Sequence, residues 1–282
     1  MSWRTLGETP PARLGEARLE IHHAAQLVAA VGLTLLPPRP DDSRPNFGWD
    51  DAHGALRSHP VGGPRPVQAA LRLADRTLLL LDTAGGVLSS CRLAGRTQTE
   101  ARRWLEGALA ARRGRPLPDG LTAAAWDLPP HPVAEGRPFA APGPADMELA
   151  RWFANADLLL RARVAAEPGA SPVRIWPHHF DQATLLPGRP GGDLAASRIG
   201  VGLSPGDAFH AEPYWYVTPD PHPDDPALPA LPEGAIWQTE GFLGAVLTGT
   251  RALAGAPADQ ERHARDFLTA AVATCRALVA AA

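Results

Sequence analysis

Eight of the chain's 31 prolines fall within the 29 positions from 116 to 144. Each proline fixes its own φ and withholds a backbone N–H, so no long helix and no central strand can run through that stretch. The sequence therefore reads as two folded halves, 1–115 and 145–282, with 116–144 as a proline-rich connection.

In the first half, Leu14, Ala17, Ile21, Ala24 and Val28 recur at three- and four-residue intervals. They predict a helix from Leu14 to Val31 that Gly32 can end in a left-handed cap. His22 on this helix is expected to close on the core and His23 to face solvent. Strand-like segments follow near 52–58, 67–74, 77–82 and 87–93, parted by Asp75-Arg76 and by Thr83-Ala84-Gly85-Gly86, which predicts an antiparallel meander. Thr97 and Glu100 make a capping box ahead of the stripe Ala101, Trp104, Leu105, Ala108 and Leu109, and Gly114 stops that helix. In the second half a helix starts after Pro144, with Asp146 and Glu148 where the helix dipole favours acids. Strands read near 173–185, 198–203, 209–217 and 236–247, and a last helix from Pro257 buries Leu268, Val272 and Cys275. Helix, strands, helix thus occurs twice. The expected fold class is α+β, antiparallel sheets with packed helices in two similar halves.

Composition excludes several function classes. All 27 basic residues are arginine, scattered, in a chain of net charge −3. Residues 1–115 carry 16 arginines against 11 acids, and residues 116–282 carry 11 against 19. An acidic second half argues against a nucleic-acid partner. The longest largely apolar run, 27–36, is far short of the ~20 residues that cross a bilayer, so no membrane partner is expected. The first residues lack the basic start and apolar core of a secretory signal. Cys91 and Cys275 do not suggest a disulfide framework, and a reduced, cytoplasmic setting is expected. There is no nucleophile elbow, phosphate-binding loop or dinucleotide fingerprint.

Chemistry concentrates in SPVRIWPHHFDQATLL (171–186) and SRIGVGLSPGDAFHAEPYWYV (197–217). If 173–182 is extended, alternation puts His179 and Asp181 on one face and Trp176, His178 and Phe180 on the other. The same rule puts His210, Glu212, Tyr214 and Tyr216 on one face of the later strand. A sheet joining the two would gather His179, Asp181, His210 and Glu212, donors that suit a divalent metal as cofactor: zinc, iron or manganese with positions left for water. Trp176, His178, Phe180, Tyr214, Tyr216 and Glu240 would line a small-molecule pocket, mostly apolar with a few polar groups. Glu240, in WQTEGFLGAV, is expected inside a strand suited to burial, where a carboxylate must be paired, neutral or functional. Gly200 and Gly202 leave one strand face bare, open either to close approach by a ligand or, the favoured reading, to packing by Trp215 or Trp237. Against all this stands a structural account, in which the histidines hydrogen-bond at a strand end and the acids pair with Arg174 or Arg198.

The early helix with His22 and Gln26 leading to Val28, the meander with TLLLLDTAGG, the segment SPVRIWPHHFDQATLL after a long helix, and Ser204-Pro205-Gly206 ahead of an aromatic strand resemble a bacterial family, domain-of-unknown-function family 5996. The likeness covers most of the chain and implies no activity and no catalytic residue. Three expectations follow. The first is a soluble protein with a polar and aromatic small-ligand pocket in its second half. The second is a metal-dependent hydrolase or oxygenase using His179, Asp181, His210 and Glu212. The third is a structural or interaction protein without a catalytic site.

Overall fold

The computed structural model describes residues 2–222, 224 and 227–281 and has the α+β class, with helices packed on two antiparallel sheets. Pro223, Asp225 and Pro226, in the proline-rich loop near 218–232, lie outside the described residues.

The first sheet is the expected meander, β1 (Gly48–Asp50), β2 (Ala55–Arg57), β3 (Val67–Arg72), β4 (Thr77–Asp82) and β5 (Val87–Arg92), hydrogen-bonded in that order. The run Thr77–Leu81 of β4 is buried throughout, which accounts for four consecutive leucines where a half-exposed strand would alternate. Helices α1 (Gly15–Leu35) and α2 (Gln98–Arg113) touch each other and pack on strands β2 to β5. The capping box forms. The Glu100 N–H donates to Thr97 Oγ1 at 3.2 Å, the Thr97 N–H donates to Glu100 Oε2 at 2.7 Å, and Gly114 closes α2 at φ 70°. Helix α1 departs from expectation by running past Gly32 to Leu35. Gly32 is not its cap. A Cβ at that position would collide with the Arg44 carbonyl, so the residue is a point of close backbone approach.

After α3 (Pro144–Ala166) come β6 (Arg174–Ile175), β7 (Gln182–Pro187), β8 (Arg198–Ser204), β9 (Tyr214–Asp220), β10 (Ile236–Gln238) and β11 (Gly244–Thr248). This sheet runs β10-β11-β9-β8-β7-β6, so β11 is inserted between its predecessors and the second half does not repeat the first strand for strand. Register pairs Gly202 with Tyr216 and Leu247 with Trp215. Trp215 and Val217, fully buried, lie on the side covered by the last helix, α5 (Gln260–Ala281), whose Cys275 Sγ–H reaches the Val217 carbonyl at 3.6 Å. Tyr214 and Tyr216 alternate with them onto the opposite face. A one-turn helix, α4 (Gly249–Ala252), follows β11.

The chain divides into two compact units, cut differently from the halves read in sequence. The six-stranded unit takes residues 1–14, 151–174 and 181–282, and the five-stranded unit takes 15–150 and 175–180. Hydrogen bonds explain the difference. The Leu6 N–H donates to Gln260 Oε1 at 2.9 Å and Gln260 Nε2 donates back to the Leu6 carbonyl at 3.0 Å, holding the first residues on α5's unit. Arg102 donates to the Leu121 carbonyl at 2.6 Å, tying the proline-rich stretch to α2. Ile175 and Phe47 exchange two backbone hydrogen bonds of 2.9 Å, which seats 175–180 in the five-stranded unit.

Candidate functional site

Residues 173–182 are not one strand. β6 ends at Ile175, Pro177 to His179 form a turn, Phe180 takes φ 62°, and β7 opens at Gln182. Pro177 has no N–H for a ladder, and its carbonyl is held by α1, accepting from His22 Nε2 at 2.8 Å and Gln26 Nε2 at 2.9 Å. Gln26 Oε1 accepts from the Trp126 indole at 3.0 Å, and the His22 ring stacks on Phe180 with centroids 4.8 Å apart. The pleat that was to align His179 with Asp181 is therefore broken, and His179 is exposed. His178 lies 6.0 Å from Trp126, 5.9 Å from Trp176 and 4.3 Å from His179, ring to ring. Burial takes His22 down to about 4 and also lowers His178, so both are neutral near neutral pH.

His23 is buried rather than solvated, with Nε2 at 2.9 Å from the Pro129 carbonyl and its ring 5.7 Å from His131. Among the described residues, one group of three metal-donor side chains converges: Glu16, Glu20 and His131, with ligand atoms within 4.8 Å of one another. The four donors expected from sequence are not in it. The group itself does not suit a cation. The Val133 N–H donates to His131 Nδ1 at 3.3 Å, so Nε2 carries the proton and gives it to Glu16 at 3.1 Å, leaving no lone pair for a metal. Glu20 is ion-paired with Arg76, which also pairs with Asp146, so the guanidinium already supplies the positive charge.

In the six-stranded unit, β9 begins only at Tyr214, and residues before it form a loop. Gly206 takes φ 111° as the turn there requires, and Asp207 Oδ1 accepts the N–H of Phe209 at 2.8 Å and of His210 at 3.0 Å. His210 and Glu212 are thus loop residues, not members of a strand face, and Pro213 accounts for the break. The Glu212 carboxylate is turned to Thr250, accepting from its N–H at 3.2 Å and its hydroxyl at 2.5 Å.

Tyr214 and Tyr216 do share a face, with ring centroids 6.1 Å apart. The Tyr216 hydroxyl donates to Asp181 and the Tyr214 hydroxyl to Asp207. A Cβ on Gly202 would fall 2.5 Å from the Tyr216 ring and hydroxyl, so the bare strand admits Tyr216 rather than Trp215 or Trp237. Burial first, and then the nearby carboxylates, push both phenols above their ordinary range, so they stay protonated donors. The His210 ring meets Tyr214 edge-on at 4.8 Å, and its Nε2 is buried with no hydrogen-bond partner among the described residues.

The expected ligand-binding residues therefore fall in two sets: Trp176, His178 and Phe180 in the five-stranded unit, and Tyr214, Tyr216 and Glu240 in the six-stranded one. Of the expected metal donors, His179 belongs to the first, while Asp181, His210 and Glu212 belong to the second and face Tyr216, Tyr214 and Thr250 respectively. Glu240 lies in an exposed bend between β10 and β11, because the segment read as one strand turns at 239–243. Trp126 was missed, although a lone indole within a proline-rich connection is a signal that the connection is anchored. Compared with models of known protein families, with curated proteins and with solved structures, the chain matches none.

Proposed function

We propose that the protein binds a small polar ligand on the Tyr214–Tyr216 face of the six-stranded unit, with Asp181, Asp207 and His210 as its polar groups. The observation that carries this reading is the His210 Nε2, buried and without a partner beside two phenol–carboxylate hydrogen bonds. Leaving a buried polar nitrogen unsatisfied costs about 1–3 kcal/mol, which a hydroxyl or amide of a ligand would recover. The two tyrosine rings supply flat apolar walls, and the carboxylates fix the direction in which each phenol points. The reading is a binding function and assigns no reaction. Residence in a reducing compartment such as the cytoplasm goes with two free, buried cysteines.

Thermal-shift screening against sugars, nucleosides and hydroxy acids tests it. A ligand that binds only the native state raises the melting temperature. At least one such compound should do so in the wild type and do so markedly less in His210→Ala. A wild type unmoved by the whole panel, or a shift that His210→Ala keeps in full, refutes the assignment.

A further inference from the structure

A cavity of about 500 Å³ opens in the six-stranded unit beside β11, α4 and α5. It is independent of the tyrosine face: its Leu247 pairs with Trp215, on the side of the sheet turned towards α5. Leu247 and Phe267, 4% and 2% exposed, give it an apolar floor. Its size lies within the ~300–1,000 Å³ usual for small-molecule sites.

Five titratable side chains line the walls: Glu233, Arg251, Arg262, His263 and Asp266. Arg262 is already engaged, 3.0 Å from Asp259 and 3.6 Å from Asp266, and the His263 Nε2 lies 3.4 Å from it. Arg251 and Glu233 are different. Among the described residues neither side chain makes a hydrogen bond or an ion pair, with each other or with any neighbour. Among the described residues the cavity thus presents a guanidinium and a carboxylate without side-chain partners above an apolar floor, while Arg262 is held by Asp259 and Asp266.

We infer that this cavity binds a free α-amino acid with an apolar side chain. The ligand's carboxylate would meet the Arg251 guanidinium, whose forked donors match a carboxylate in two parallel hydrogen bonds. Its ammonium would meet Glu233, and its side chain would lie on Leu247 and Phe267. A simple carboxylic acid leaves Glu233 unanswered and sets a second negative charge beside it, and a simple amine does the same to Arg251. Only a ligand carrying both charges satisfies both walls.

Isothermal titration calorimetry of the full chain with leucine and phenylalanine tests the inference, with 4-methylpentanoate and 3-methylbutylamine as the analogues that lack one charge each. Leucine or phenylalanine should bind, and each analogue should bind at least about tenfold more weakly. Arg251→Gln and Glu233→Gln should each weaken amino-acid binding by about tenfold or more. Both positions are exposed, so circular dichroism and melting without ligand should match the wild type. His210→Ala should leave amino-acid binding intact, which separates this site from the tyrosine face. The inference is overturned if neither amino acid binds at millimolar concentration, if 4-methylpentanoate binds as well as leucine, or if Arg251→Gln binds as the wild type does.

Discussion

At the scale of single residues, what each histidine can do is decided by the partner of its second nitrogen. On His131 a backbone N–H occupies Nδ1, which fixes the proton on Nε2 and turns a ring beside two glutamates into a hydrogen-bond donor instead of a metal ligand. On His22 the Pro177 carbonyl fixes the proton on Nε2, and burial pushes the ring from its ordinary 6.5 to about 4. Stability must then depend on pH in a definite direction. Above about pH 6.5 both folded and unfolded rings are neutral and the contribution is fully present. As pH falls below that, the unfolded chain takes up the proton first, and stability is lost down to the folded value near 4. A displacement from 6.5 to about 4 corresponds to roughly 3 kcal/mol. His23 and His178 are lowered too, by burial, and add to the loss in the same sense. Urea unfolding should show the wild type losing about 2–3 kcal/mol more than His22→Gln between neutral pH and about pH 4. Equal losses in the two proteins would mean that His22 is not the titrating group.

At the scale of elements, legibility followed how local each determinant is. The Thr97–Glu100 box and the Gly114 cap are contained within a few residues, and both formed as the sequence suggests. The Tyr214–Tyr216 alternation needs only a continuous pleat, and β9 supplies one. Residues 173–182 failed the same reasoning because Pro177 interrupts the ladder and its carbonyl is taken by His22 and Gln26, some 150 positions away. His210 and Glu212 failed it because Pro213 precedes the strand proper. Gly32 misled in the same way. Its neighbour is the Arg44 carbonyl, which nothing in the helix's own sequence announces. Propensity alone would make Gly32→Ala stabilising by up to about 1 kcal/mol. The collision with fixed backbone reverses the sign, and a loss of about 1–3 kcal/mol is expected in urea unfolding. A gain would show that the Arg44 backbone does not lie against α1.

At the scale of the whole molecule, each compact unit contains a single cysteine, Cys91 on β5 of the five-stranded unit and Cys275 on α5 of the six-stranded one. Among the described residues no helix is long and apolar enough to cross a membrane. Both thiols are buried and free of any disulfide, and burial raises both, Cys275 to about 12. Because the thiolate is the reactive form, a folded unit protects its cysteine twice, by excluding the reagent and by keeping the proton on. Each cysteine is therefore a reporter for its own unit. With Cys275→Ser the remaining thiol reads the five-stranded unit, and with Cys91→Ser it reads the six-stranded one. Neither should react with a thiol-specific dye in native buffer near pH 8 on a timescale of minutes, and both should react fully in concentrated guanidinium. Raising denaturant in steps should expose each thiol at the midpoint of its own unit. Coincident midpoints would make the chain one cooperative body, and separate midpoints would make it two. A thiol that reacts at once in native buffer would contradict the packing of the strand or helix that carries it.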